Sequence, residues 1–108
     1  MKLYFITGNK NKLEEVKSVL PEAEQLDIDL PEIQEIDAKE IIRKKLEEAL
    51  NHATGEFMVE DTSLYLDCLN GLPGPLIKWF MKTIGNSGLS NLAEKLGNDK
   101  ARAVTMIG

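Results

Sequence analysis

Cysteine is almost missing from this chain. Cys68 stands alone among 108 residues, which excludes an internal disulfide and any multi-cysteine metal site and fits a reducing compartment. Histidine is equally scarce, and His52 lies near the end of a helix-like segment, where a positive charge suits the C-terminal carbonyls; nothing supports a Ser-His-Asp triad. No apolar run approaches the roughly 20 residues that span a bilayer, and the opening Met1-Lys2-Leu3-Tyr4-Phe5-Ile6 is too short for a secretory leader. Cationic charge is not in excess either: 13 Lys and Arg against 18 Asp and Glu leave −5. That balance argues against a nucleic-acid partner while leaving a few lysines to hold one phosphate tail. The expected setting is the cytoplasm, with no membrane and no nucleic acid involved. Two familiar phosphate loops are absent as well, the Gly-x4-Gly-Lys-Ser/Thr spacing and the Gly-x-Gly-x-x-Gly spacing.

What remains is an ordinary globular composition, 43% hydrophobic and 29% charged, of a length that suits one domain over residues 1–108. Lys2 to Ile6 reads as a strand, Thr7-Gly8-Asn9 as a tight turn, and Leu13, Val16 and Leu20 as one face of a helix that Pro21 stops. Gln25 to Leu30 alternates like a strand with Leu26, Ile28 and Leu30 inward, and Pro31 to Asp37 reads as a loop. A second helix is expected over Ala38 to Ala53, burying Ile42, Leu46, Ala49 and Ala53, ended by Thr54-Gly55. Phe57-Met58-Val59 is a strand running into Glu60-Asp61, and Leu64 to Leu69 continues as an extended arm or hairpin partner. Gly71 to Pro75 is a stiff turn, followed by short helices over Leu76 to Ile84 and Leu89 to Leu96, and a strand from Ala101 to Ile107. Strands alternating with helices, without internal repeats, point to an α/β fold built on a mixed twisted sheet with flanking helices.

Open α/β sheets take ligands beyond the carboxyl ends of their strands, and helix starts favour anions. The turn Thr7-Gly8-Asn9-Lys10-Asn11-Lys12 therefore has the form of a phosphate site, with Lys12 reaching an oxygen, although it serves equally as a capped helix start with solvated lysines. Glu60-Asp61-Thr62 places two carboxylates at a strand end on the same edge, enough for Mg²⁺ shared with substrate phosphates; taken alone it is also an ordinary acidic turn. Asp61 is the better ligand, and a carboxylate beside the metal can deprotonate an attacking water. Glu32 offers another carboxylate from the loop before the second helix. Glu15 is spaced to pair with Lys12, and Lys45 and Lys78 are placed to project from a rim. Trp79-Phe80, beside Ile77 and Met81, reads as core or subunit contact.

In order and spacing these segments resemble the inosine triphosphate pyrophosphatase family, over its N-terminal half. The resemblance rests on Thr7 to Val16, Leu30-Pro31-Glu32-Ile33-Gln34, Lys45 to Ala49, Val59-Glu60-Asp61-Thr62, and Leu69 to Pro75 with Ile77-Lys78-Trp79-Phe80. The related Maf-type enzymes fit less well, because their Ser-x-Ser-Pro-Arg opening is missing. The resemblance implies Mg²⁺-dependent hydrolysis of noncanonical purine nucleoside triphosphates to a monophosphate and pyrophosphate. It also implies that Asp61 is metal ligand and proton acceptor, and Glu32 a metal ligand. Thr7, Gly8, Asn9, Lys10, Asn11 and Lys12 would hold the triphosphate, Thr62, Lys45 and Lys78 would contact substrate, and the protein would be a homodimer. Members are longer, and their later Phe-Gly-Trp/Tyr-Asp-Pro and Ser-His-Arg segments, which recognise the base and add phosphate contacts, have no counterpart here. A chain shortened in this way is expected to bare a sheet edge at Val104 to Gly108 and to self-associate. The alternatives are a noncatalytic nucleotide-binding module and a self-assembling half-domain scaffold.

Overall fold

The computed structural model describes residues 2–30 and 33–108. Along the chain run β1 (Leu3–Ile6), α1 (Lys10–Val19), β2 (Ala23–Leu26), α2 (Ala38–His52), β3 (Glu56–Met58) and β4 (Glu60–Leu66). A 3-10 turn (Asp67–Leu69) then precedes β5 (Pro73–Gly74), α3 (Ile77–Thr83), α4 (Gly85–Lys95) and β6 (Ala101–Ile107). The α/β class expected from the sequence is what forms, with strand directions divided between two three-stranded sheets. One is parallel in the order β2-β1-β3, the other antiparallel in the order β5-β4-β6. Parallel neighbours need crossover connections, and α1 and α2 supply them.

The sheets meet at Val59, which separates β3 from β4. Its N–H donates to the Gly108 carbonyl at 2.9 Å and its carbonyl accepts from the Gly108 N–H at 3.0 Å, so the β4–β6 ladder extends up to the junction. Val59 is 1% exposed and forms the core with Ile6, Ile42 and Ala49; Leu26, Ile28, Leu30, Leu46, Phe57 and Met106 pack against it. Burial of a side chain of this kind contributes about 1.5–3 kcal/mol.

β4 begins at Glu60 and gives way to the 3-10 turn at Asp67 where an extended arm to Leu69 was expected, and α4 begins at Gly85 rather than Leu89. Two further differences have a direct physical reason. β2 covers Ala23–Leu26 instead of Gln25 to Leu30, because its partner β1 ends at Ile6, opposite Leu26. The alternation nevertheless survives beyond the ladder, since Ile28 and Leu30 still reach the core. α2 buries Ala38, Ile41, Ile42 and Ala49, so its inward stripe begins a turn earlier than expected, and Ala53 lies past the helix in extended backbone (φ −156°). Asp37 starts this helix by accepting the Lys39 N–H at 3.0 Å.

The turn before β5 folds tightly onto β4, where Gly74 (φ +54°) lies so close to Tyr65 that a Cβ there would meet the ring at 3.3 Å. The molecule is elongated, 51 × 26 × 19 Å, with a radius of gyration of 15.7 Å against about 13 Å for a compact chain of this length. β6 pairs only with β4 among the described residues, and most of its side chains are exposed. Among the described residues no helix is long and apolar enough to cross a membrane.

Candidate functional site

The in-register pairing of β1 and β3, with Phe5 opposite Met58, brings both strand ends out on one edge. Thr7 and Glu60 therefore emerge close together, as the sequence suggested. Thr7 Oγ1 accepts the Asn9 N–H at 3.0 Å, and Asn9 Oδ1 accepts the N–H groups of Asn11 (3.0 Å) and Lys12 (3.3 Å). Asn9 thus caps α1, an arrangement that contributes about 1 kcal/mol, and two of the helix-start donors are already satisfied. Lys10 and Asn11 are exposed, while Thr7 and Gly8 line a cleft of about 340 Å³ together with Asp27, Asp29, Lys45 and Glu60.

Lys12 reaches across to Glu60 rather than to Glu15, with Nζ 2.6 Å from Oε1. Lys45, carried by α2, donates to the Glu60 carbonyl at 3.0 Å and stands 3.7 Å from Asp61 Oδ1. Thr62 Oγ1 donates to Glu60 Oε2 at 3.2 Å and lies 3.3 Å from Thr105 Oγ1. The Lys45 and Asp61 side chains are each 12% exposed, so this pair is much better shielded from water than Lys12, at 37%. A second cleft of about 270 Å³ runs along the same residues and is closed by Pro75, Ile77, Lys78 and Met81. Lys78 is on its wall, with Nζ also 5.8 Å from the centre of the Trp79 ring. Trp79 is 48% exposed, which removes it from the core.

The donor chemistry fits a divalent cation shared with a ligand. Among the described residues no group of three or more His, Cys, Asp or Glu could hold a metal, and both Glu60 oxygens are engaged by Lys12 and Thr62, which leaves Asp61 as the carboxylate available to Mg²⁺, an ion that takes one or two when substrate phosphates complete its shell. Glu32, the other carboxylate suggested by the sequence, lies outside the described residues.

The model of the Ham1 family matches residues 3–108. The chain belongs to the Ham1 family. Among its curated relatives, the inosine triphosphate pyrophosphatase of Chaetomium globosum is 47% identical over 103 residues, covering 93% of this chain and 53% of the relative. The inosine triphosphate pyrophosphatase of Schizosaccharomyces pombe is 38% identical over 109 residues, covering 98% and 57%. This Ham1 chain spans a little over half the length of the curated relatives it matches. The solved Ham1 protein of Staphylococcus aureus shares its fold, with a TM-score of 0.73 at 23% identity over 99% of this chain and 62% of that one. A nucleoside-triphosphatase, or dITP/XTP pyrophosphatase, from Mycobacterium abscessus superposes with a TM-score of 0.69 at 20% identity, covering 100% of this chain and 71% of that one.

Within this Ham1 chain, Lys12, Lys45, Asp61 and Thr62 are drawn into one cluster, and Thr7, Gly8 and Lys78 onto the walls of the joined clefts. Sequence reasoning missed Asp27 and Asp29, which line the cleft from just beyond β2. The available signal was their place in the alternation Leu26-Asp27-Ile28-Asp29-Leu30, at the carboxyl end of a strand beside β1. Sequence reasoning gave Glu60 the part of a second carboxylate for Mg²⁺, whereas the structure pairs that side chain with Lys12 and Thr62.

Proposed function

We propose that this chain hydrolyses nucleoside triphosphates to a nucleoside monophosphate and pyrophosphate with Mg²⁺, with noncanonical purine triphosphates such as inosine triphosphate as substrates. The observation that carries the reading is the convergence of Lys12, Lys45, Asp61 and Thr62 where two neighbouring strands end, in a chain whose curated relatives are named inosine triphosphate pyrophosphatases.

In this reading the triphosphate lies along the joined clefts, its oxygens meeting the ammonium groups of Lys12, Lys45 and Lys78 and the polar groups of Thr7 to Asn11 and Thr62. Asp61 would hold the cation, with Glu32 as second ligand. When bound, Mg²⁺ offsets charge developing on the phosphate oxygens. The Asp61 carboxylate orients the attacking water and takes its proton as a new O–P bond forms, the α–β anhydride breaks and pyrophosphate departs with the bonding electrons. Lys45, 3.7 Å from Asp61, fixes the carboxylate in place and adds positive charge where the transition state gathers negative charge.

The exposed edge of β6 supports a homodimer, and the lone Cys68 supports work in the reducing cytoplasm. Thermal unfolding with inosine triphosphate tests the binding step: a ligand at 100 times its Kd stabilises by about 2.7 kcal/mol, and only with Mg²⁺ present is the full shift expected. A shift without pyrophosphate release would favour a noncatalytic nucleotide-binding module. No shift under any condition would leave the scaffold reading.

A further inference from the structure

Glu60 has no task in the hydrolysis as written, yet it holds the site together. Its Oε1 pairs with Lys12 at 2.6 Å, its Oε2 accepts Thr62 at 3.2 Å and its carbonyl accepts Lys45 at 3.0 Å. The side chain is 16% exposed and borders both clefts. Glu60 therefore occupies the ammonium that the proposed function assigns to phosphate. A triphosphate arriving without a cation must draw Lys12 away and then lie against a shielded, uncompensated carboxylate, and like charges in such surroundings repel far more strongly than in water. A triphosphate arriving with a divalent cation brings the positive charge that replaces Lys12 beside Glu60.

We propose, resting on the reading of the site given above, that Glu60 is a positioning residue that reserves Lys12 for cation-bearing polyphosphates and so makes the site discriminate against the cation-free triphosphate. A merely structural Glu60, tying β4 to α1, would give the opposite behaviour on replacement: looser packing and weaker binding of every ligand.

The test is calorimetric titration of the full chain with the α,β-methylene analogue of inosine triphosphate, whose α–β bridge cannot be hydrolysed, once in EDTA and once in Mg²⁺, for the wild type, Glu60→Gln, Glu60→Asp and Lys12→Gln. Glu60→Gln keeps the shape and the hydrogen-bonding oxygen but removes the charge. It is expected to tighten cation-free binding about fivefold or more, the scale of one lost charge conflict, and to shrink the advantage of the Mg²⁺ complex. Glu60→Asp keeps the charge and the wild-type preference. Lys12→Gln strands the carboxylate and widens the gap, a result that stands even if Glu60→Gln folds poorly. Unchanged or weaker cation-free binding by folded Glu60→Gln, or a gap that Lys12→Gln does not widen, overturns the inference alone when the wild type binds the Mg²⁺ complex. A wild type that binds neither form overturns both the inference and the function it rests on.

Discussion

The Lys45–Asp61 pair offers the sharpest energetic test of the site's architecture. At 3.7 Å, with both side chains 12% exposed, the attraction comes to about 4 kcal/mol at an effective dielectric of about 20. Desolvation of both ions cancels much of that gain, but removing one partner leaves the other charge shielded and costs about 3 kcal/mol. Lys45→Met also loses the hydrogen bond to the Glu60 carbonyl, worth about 1 kcal/mol. Lys45→Met is therefore expected to destabilise by about 3–4 kcal/mol. Asp61→Asn should cost less, about 1–2 kcal/mol, because the Lys45 ammonium it leaves behind keeps its hydrogen bond to the Glu60 carbonyl. If the two act as a pair, the double variant recovers about 1–2 kcal/mol relative to the sum, and the cycle isolates this coupling from whatever else each side chain touches. Urea unfolding of the four proteins, with unchanged m-values, reads the coupling directly. Additive costs, with coupling under about 0.5 kcal/mol, would refute the reasoning.

Other consequences follow from single positions. Gly88→Ala in α4 should destabilise by about 1–3 kcal/mol despite alanine's better helix propensity, because the new Cβ would lie 2.5 Å from Ile84 Cβ, an atom no rotamer can move; chemical denaturation checks it. Ser63→Ala should be neutral or stabilising by up to about 1 kcal/mol, since Ser63 is 1% exposed and its Oγ has no hydrogen-bond partner among the described residues; a clear loss in urea unfolding would reveal one. If the β6 edge mediates self-association, Ala103→Lys on that exposed strand should shift the protein toward monomer in sedimentation velocity and remove any concentration dependence of the unfolding midpoint, and a wild type that is monomeric at high concentration would contradict edge pairing.

The sequence was legible wherever a local rule sufficed. Ala101 to Ile107 forms the expected strand, Asp37 and Asn9 stand at the helix starts where short polar side chains belong, and Leu26, Ile28 and Leu30 face the core as their alternation required. What was not legible depends on pairing between distant segments. The end of β2 is set by β1, which stops at Ile6, and the split into two sheets is set by Val59 bonding to Gly108. In the site, the edge shared by Thr7 and Glu60 could be inferred because parallel strands end together. The Lys12–Glu60 bridge could not, since its partners are 48 positions apart and Glu15 offered the ordinary local alternative on the helix surface. Asp27 and Asp29 escaped notice because the alternation from Leu26 to Leu30 was read only for its apolar positions, while its polar ones line the cleft.

The most direct measurement is pyrophosphate release from inosine, xanthosine and the four standard nucleoside triphosphates with Mg²⁺, comparing this chain with Asp61→Asn. The account predicts release by the wild type and at least about a hundredfold less by the variant, the scale of a lost general base, with folding retained. Equal release by both proteins would contradict the role of Asp61, and release by neither, with both folded, would contradict catalysis by this chain.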